Sequence, residues 1–188
     1  MRRVRYSVAM SLDGYIAGPQ GESDWIVMDP DLDFSAIFDA FDTILLGRNT
    51  YEATRGQGGG VEMPGVQSYV FSRTLRPEDC PGVILSDDPK AIITDLKSKP
   101  GKDIWLFGGG SLFQSLLELG LMDSVEVAIM PVLLGKGVPL LPPPANLAKL
   151  KLVNHQVYEK TGTVSLEYAV LPVTTKQRRG GSQKQKRK

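Results

Sequence analysis

Cysteine and histidine are almost missing from this sequence: 188 residues contain one of each, Cys80 and His155. A single cysteine excludes an internal disulfide and argues against a cysteine-based metal site. A zinc site built on histidine, or a serine–histidine–aspartate triad, would have to use His155, which stands in a polar stretch late in the chain. Long apolar runs are also lacking, and none is long enough to span a bilayer. Arg2, Arg3 and Arg5 give the N-terminus a basic start, but residues 6–16 are broken by Ser7, Ser11 and Asp13, so the apolar core of a signal peptide is missing. These absences point to a cytoplasmic protein with no metal, and no membrane partner is expected.

Net charge is small, +1, but unevenly spread. Residues 174–188 carry seven basic side chains and no acid, leaving 15 basic against 21 acidic residues before them. That tail has no apolar side chain to bury, so it is expected to be disordered. Its charge could attract nucleic acid, yet a solvated tail needs no partner, and nucleic acid is not the partner expected. The rest of the chain, residues 1–173, has no internal repeat or linker and reads as one domain.

What is present centres on residues 103–123, DIWLFGGGSLFQSLLELGLMD. Residues 104–107 are an apolar run of strand length. Gly108, Gly109 and Gly110 follow, and then Ser111, Leu112, Phe113, Leu116 and Leu117 fall at helical spacing. A strand, a glycine turn and a new helix place backbone N–H groups and a partial positive charge together, a seat for a pyrophosphate or another anion. The pattern is not a full dinucleotide fingerprint, because Phe113 replaces its third glycine.

Two other strand ends resemble it. The apolar run 43–46 leads into Gly47, Arg48, Asn49 and Thr50 at a predicted helix start, and residues 66–71 lead into Ser72 and Arg73. Helices are predicted at 31–41 and 87–97, strands at 3–10, 83–85 and 124–130, and a hairpin at 149–158 and 163–171. Strands alternating with helices up to residue 130 predict an α/β fold: a mainly parallel central sheet with helices on both faces and a C-terminal antiparallel hairpin. The three glycine- and arginine-bearing strand ends then share one side of the sheet, where such folds bind ligands. Several phosphates, as in NADPH, would suit two arginines and two helix N-termini. Residues 132–144 are apolar but broken by glycine and proline, which predicts an ordered excursion packed on the core or on another subunit.

These motifs, taken in order, resemble a known family. They are AMSLDGYIA at 9–17, Asp24-Trp25, GRNTYE at 47–52, Ser72-Arg73, FGGGSL at 107–112 and PVLLGKGVPL at 131–140. Together they are similar to the dihydrofolate reductase superfamily, most closely to the branch that includes the reductase domain of the riboflavin-biosynthesis deaminase-reductase. The resemblance implies NADPH as cofactor. Arg48 and Thr50 would hold phosphates, Ser72 and Arg73 the adenosine 2′-phosphate, and Gly108 to Leu112 the pyrophosphate. Ala9 and Ile16 would meet the nicotinamide end, and Trp25 would border the substrate. Asp13, in the loop over the ring, and Asp31, near the acid of folate enzymes, are the candidate proton donors, with ordered water as the alternative. The implied reaction is that of a 5-amino-6-(5-phosphoribosylamino)uracil reductase, hydride transfer to a pyrimidine or pterin-like substrate. A homodimer through residues 132–144 is expected. The deaminase motifs are lacking, so a stand-alone reductase is the consistent form. A true folate reductase, or an NADP-binding protein whose tail attracts nucleic acid, are the alternatives.

Overall fold

The computed structural model describes residues 1–56 and 63–172. The basic tail at 174–188 and the centre of the glycine-rich loop at 55–65 lie outside the described residues. In chain order the elements are β1 (Val4–Ser11), β2 (Tyr15–Ala17), α1 (Phe34–Asp39), β3 (Phe41–Gly47), α2 (Arg48–Gly56), β4 (Gln67–Phe71), β5 (Ile84–Ser86), α3 (Pro89–Ser98), β6 (Asp103–Gly108), α4 (Gly110–Glu118), β7 (Ser124–Met130), β8 (Val138–Pro139), β9 (Leu150–Tyr158) and β10 (Thr163–Val170). Eight of the strands form one sheet in the order β5-β4-β3-β6-β1-β7-β10-β9. Neighbours from β5 to β7 pair in parallel, and β10 is antiparallel to both β7 and β9. The mainly parallel sheet with a terminal hairpin is the predicted architecture. Strand β4, however, sits second from the edge.

Strand periodicity explains the two layers. On β1, Val4 and Tyr6 point to one face and are fully buried, in a core shared with Ile93 and Leu96 of α3 and Leu112, Phe113 and Leu116 of α4. The alternate positions of β1 and β6, Arg5, Ser7, Trp105 and Phe107, face the side covered by α1 and α2. There Phe41, Ile44, Leu46, Tyr51 and Trp105 form a second core, against which Ile37 and Phe107 pack. Helices on both faces leave the parallel strands no wet side, so they read in the sequence as nearly continuous apolar runs.

Helix α1 is shorter than its apolar spacing predicts. Asp33 caps it, accepting from the Ala36 N–H at 3.0 Å. Phe41 leaves the helical pattern to pair with Asp103 of β6, so tertiary pairing overrides local periodicity. The excursion at 132–144 does pack on the core: Leu140 and Leu141 lie against the first cluster, and β8 pairs antiparallel with β2. Among the described residues no helix is long and apolar enough to cross a membrane.

One core group departs from good packing chemistry. The Tyr6 ring lies tilted, its centroid 4.4 Å from that of Phe113, and its hydroxyl is buried without a hydrogen-bond partner among the described residues. Burial pushes the phenol's pKa upward. An unsatisfied buried polar group is costly, so Tyr6→Phe is expected to stabilise the fold by about 1 kcal/mol. A higher urea midpoint at unchanged slope would show it. A destabilised variant would mean that the hydroxyl is satisfied.

Candidate active site

Because β3, β4 and β6 run parallel, Gly47, Phe71 and Gly108 end them on one side of the sheet. There a cleft of about 1100 Å³ opens. All twelve residues that the sequence proposed for a cofactor line it: Ala9, Ile16, Gly47, Arg48, Thr50, Ser72, Arg73, Gly108, Gly109, Gly110, Ser111 and Leu112.

The glycines have distinct jobs. Gly109 precedes α4 with φ of +106°, a left-handed backbone that side chains with a Cβ rarely adopt. It offers no side-chain cap to the helix, so the first-turn N–H groups remain available to an anion. Gly110 permits a close approach: a Cβ there would lie 2.8 Å from the Pro139 carbonyl oxygen. The excursion can therefore rest directly on the turn. The glycine turn and the first turn of α4 are residues that could hold a pyrophosphate.

The two arginines differ. Arg48 Nε donates to both Glu52 oxygens at 3.1 and 3.2 Å, and its Nη1 donates to Thr74 Oγ1 at 3.0 Å. Arg73 is exposed and makes no hydrogen bond or ion pair among the described residues. It is the cation free to meet a phosphate. Ser72 Oγ accepts from the N–H groups of Thr74 and Leu75 and lies 3.4 Å from Thr74 Oγ1, contacts that hold the Arg73 turn in shape.

Asp13, a candidate proton donor in the sequence, is placed as a latch between two loops. Its carboxylate accepts from Ser11 Oγ at 2.6 Å and from the N–H groups of Leu134 and Gly135 at 3.1 and 2.7 Å. The Leu12 N–H to Val132 carbonyl bond and the Leu140 N–H to Gly14 carbonyl bond extend the same seam. The Ser11 hydroxyl, then the Gly135 and Leu134 N–H groups, hold this carboxyl below its ordinary pKa against an opposing desolvation. A depressed folded pKa means that the latch stabilises above the unfolded carboxylate value, about 3.9, and is lost as pH falls through the lower folded value. Asp13→Ala is therefore expected to loosen residues 11–17 at neutral pH, seen as faster amide exchange there. The two proteins should converge in strongly acidic solution. Equal exchange at neutral pH would contradict the latch.

A second chamber of about 680 Å³ continues from the first. Ser7, Val8, Ala9, Ile26, Trp105 and Phe107 line both. The new chamber is roofed by Phe34, Ile37 and Phe38 of α1 and floored by Glu126, Ala128, Ser165 and Glu167. Arg5 lies in it, tied by Nε and Nη2 to the two Glu126 oxygens at 2.6 and 2.7 Å. That pairing raises the pKa of Arg5, so the charge is permanent.

Asp31 lines the chamber at an exposed rim, where Lys160 Nζ sits 2.6 Å from its Oδ1. This exposed ion pair, absent from any sequence expectation, engages one oxygen of the carboxylate. Trp25 lines neither chamber; its Nε1 donates to the Glu22 carbonyl at 3.1 Å, and the neighbouring Ile26 borders both instead. Trp105, Phe107, Glu126 and Glu167 also line the second chamber, and the sequence reading did not single them out. A signal existed: Glu126 is the one charge in the apolar strand SVEVAIM, and Trp105 and Phe107 alternate with buried Ile104 and Leu106.

Comparison with known proteins agrees with this geometry. The family model described as RibD C-terminal domain matches residues 2–164. The chain is 36% identical over 178 residues to the uncharacterized protein YyaP of Bacillus subtilis (strain 168), covering 89% of this chain and 94% of that one. A crystal structure of a putative riboflavin biosynthesis protein from Shewanella sp. PV-4 superposes with a TM-score of 0.76 at 27% identity, covering 92% of this chain and 100% of that one. Dihydrofolate reductase from Enterococcus faecalis, complexed with NADP(H), shares the fold with a TM-score of 0.64 at 18% identity, covering 89% and 96% of the two chains. The fold is therefore dihydrofolate reductase-like, and the chain belongs to the RibD C-terminal domain family, a reductase family of riboflavin biosynthesis.

Proposed function

We propose that the protein is an NADPH-dependent reductase of the riboflavin-pathway type, acting on a pyrimidine or pterin-like substrate. The observation that carries this is the joining of two chambers: an anion cradle with a free arginine opens, past Ala9, Trp105 and Phe107, into an aromatic-walled cavity. Arg73, the Ser72 hydroxyl and the first turn of α4 would hold the phosphates, with Arg48 and Thr50 beside them. Ala9 and Ile16 would meet the nicotinamide end. When bound, the cofactor supplies the hydride. The chain supplies orientation: it fixes two planar rings across the shared wall and excludes water with Ile26, Phe34 and Phe38. With Asp13 latched and Asp31 paired, the proton is assigned to ordered water.

The reaction can be tested with NADPH carrying deuterium at the transferable position. With a pyrimidine substrate, reduced-nicotinamide absorbance should fall and the label should appear on substrate carbon. Cofactor that binds yet is never consumed with any pyrimidine or pterin would leave a binding protein and sink the enzyme proposal.

A homodimer remains part of this proposal, with its contact shifted. Leu133 is 73% exposed in the excursion, and Leu150, Leu152, Val153 and Val157 are 42–58% exposed on edge strand β9. An apolar, unpaired sheet edge is a ready contact for a second copy. Light scattering at micromolar concentration should give twice the chain mass; a monomeric mass would contradict it.

A further inference from the structure

We propose that the Ser7 hydroxyl passes on the proton that accompanies hydride transfer, donating to the heteroatom of the substrate's reducible double bond and taking a proton back from ordered water. This rests on the reductase reading of the cleft and names a residue for its proton step.

Elimination along the shared wall carries the inference. Hydride transfer brings the donor and acceptor carbons to about 3–3.5 Å, so the reacting double bond must lie where the two chambers meet. Among the described residues, Ser7, Val8, Ala9, Ile26, Trp105 and Phe107 border both. Only Ser7 and Trp105 of these have a polar side chain. The Trp105 indole N–H is engaged, donating to the Ser7 carbonyl at 3.0 Å. Ser7 Oγ makes no hydrogen bond among the described residues, although the residue is half-buried. Arg5, Ser7 and Ala9 alternate along β1, so the hydroxyl stands on the chamber face, opposite the core of Val4 and Tyr6. The indole bond to the Ser7 carbonyl fixes the backbone that carries the hydroxyl.

Distance sets other hydroxyls aside. Ser165 and Tyr158 line the second chamber and not the first. They stand on β10 and β9, two and three strands from β1. At ordinary strand spacing their backbones begin about 10 and 14 Å away.

A water to replenish Ser7 has a seat beside it. Ser7 pairs in register with Glu126 of β7. Glu126 Oε1 accepts from Arg5 Nε and the Ser124 hydroxyl, whereas Oε2 accepts from Arg5 Nη2 alone. Oε2 therefore keeps an acceptor position for a water that also reaches Ser7 Oγ. The step then balances. The carbon of a C=N or C=O bond gains the hydride with its electron pair, and the nicotinamide is left oxidised. The π pair of that bond moves to the heteroatom, which takes the Ser7 proton. The water returns a proton to Ser7 Oγ in the same motion, and bulk solvent makes good the one proton consumed.

The test is kinetics of the full chain with NADPH and 5-amino-6-(5-phosphoribosylamino)uracil, for the unaltered protein, Ser7→Ala and Ser7→Thr. Ser7→Ala should lower kcat about a hundred-fold or more, with calorimetric NADPH affinity kept within about two-fold. Ser7→Thr, which keeps the hydroxyl, should retain at least about a tenth of the activity. A kcat of Ser7→Ala within about three-fold of the unaltered protein, or a loss of NADPH affinity that matches the loss of kcat, overturns the proposal. Should that pyrimidine not be reduced, a crystal structure of the full chain with NADP⁺ decides the geometry. Ser7 Oγ should stand about 4–5 Å from the nicotinamide C4, with a water between it and Glu126. A hydroxyl turned from the ring, or bonded to the carboxamide, overturns the relay while the reductase reading stands. If no nicotinamide cofactor binds, the reductase reading fails and the relay with it.

Discussion

Gly109→Ala is expected to weaken NADPH binding by roughly a hundred-fold or more and to lower stability by about 1–3 kcal/mol. The site has room for the methyl group: the nearest atoms to an added Cβ are Thr50 Oγ1 at 3.5 Å and the Gly47 Cα at 3.6 Å, ordinary contacts. The cost lies in the backbone, since φ of +106° is a conformation that alanine rarely adopts. Relief of that strain rotates the turn and turns the first N–H groups of α4 away from the cleft. Each charge-assisted bond to phosphate contributes about 1.5–3 kcal/mol, so losing two lowers affinity by roughly a hundred-fold or more. Thermal melting separates the stability loss from the binding loss. Unchanged NADPH affinity in a folded variant would show that this turn is not the cradle.

Arg73→Ala carries the second large effect. NADPH should bind about 10- to 150-fold more weakly, the loss of one charge-assisted contact to the 2′-phosphate, while NADH, which lacks that phosphate, should be little changed. Stability should stay within about 0.5 kcal/mol, since Arg73 is exposed and makes no ion pair among the described residues. Arg48→Ala should cost less, because Arg48 must first release Glu52 and Thr74. A larger loss for Arg48 than for Arg73 would exchange their roles. Equal losses of NADPH and NADH in Arg73→Ala would place the arginine on the pyrophosphate instead.

The strand-end side of the cleft was legible in the sequence because the residues that line it are local. Gly47-Arg48, Ser72-Arg73 and Gly108-Gly109-Gly110 each follow an apolar run directly, and parallel pairing alone then brings them to one edge. The second chamber was not legible, since it is assembled across strands. Arg5, Trp105, Glu126, Glu167 and Asn154 come from five of them and meet only once the order β6-β1-β7-β10-β9 is known. The latch of Asp13 was hidden for the same reason: its N–H partners are 121 and 122 residues away. Helix α1 was read too long because Leu32 and Phe41 extend its apolar spacing, whereas its cap at Asp33 and the β3–β6 register decide its ends. The family resemblance put Trp25 at the substrate; in the structure Trp25 lines neither chamber, and the neighbouring Ile26 borders both.

The central claim is that the strand-end cleft holds NADPH. Calorimetric titration of the unaltered protein with NADPH, with NADH in parallel, tests it most directly. NADPH should bind at one site per chain and at least about ten-fold tighter than NADH, the margin of one charge-assisted phosphate contact. If neither cofactor binds, the glycines and arginines at these strand ends serve the fold alone, and the chain keeps the architecture of a reductase without its cofactor.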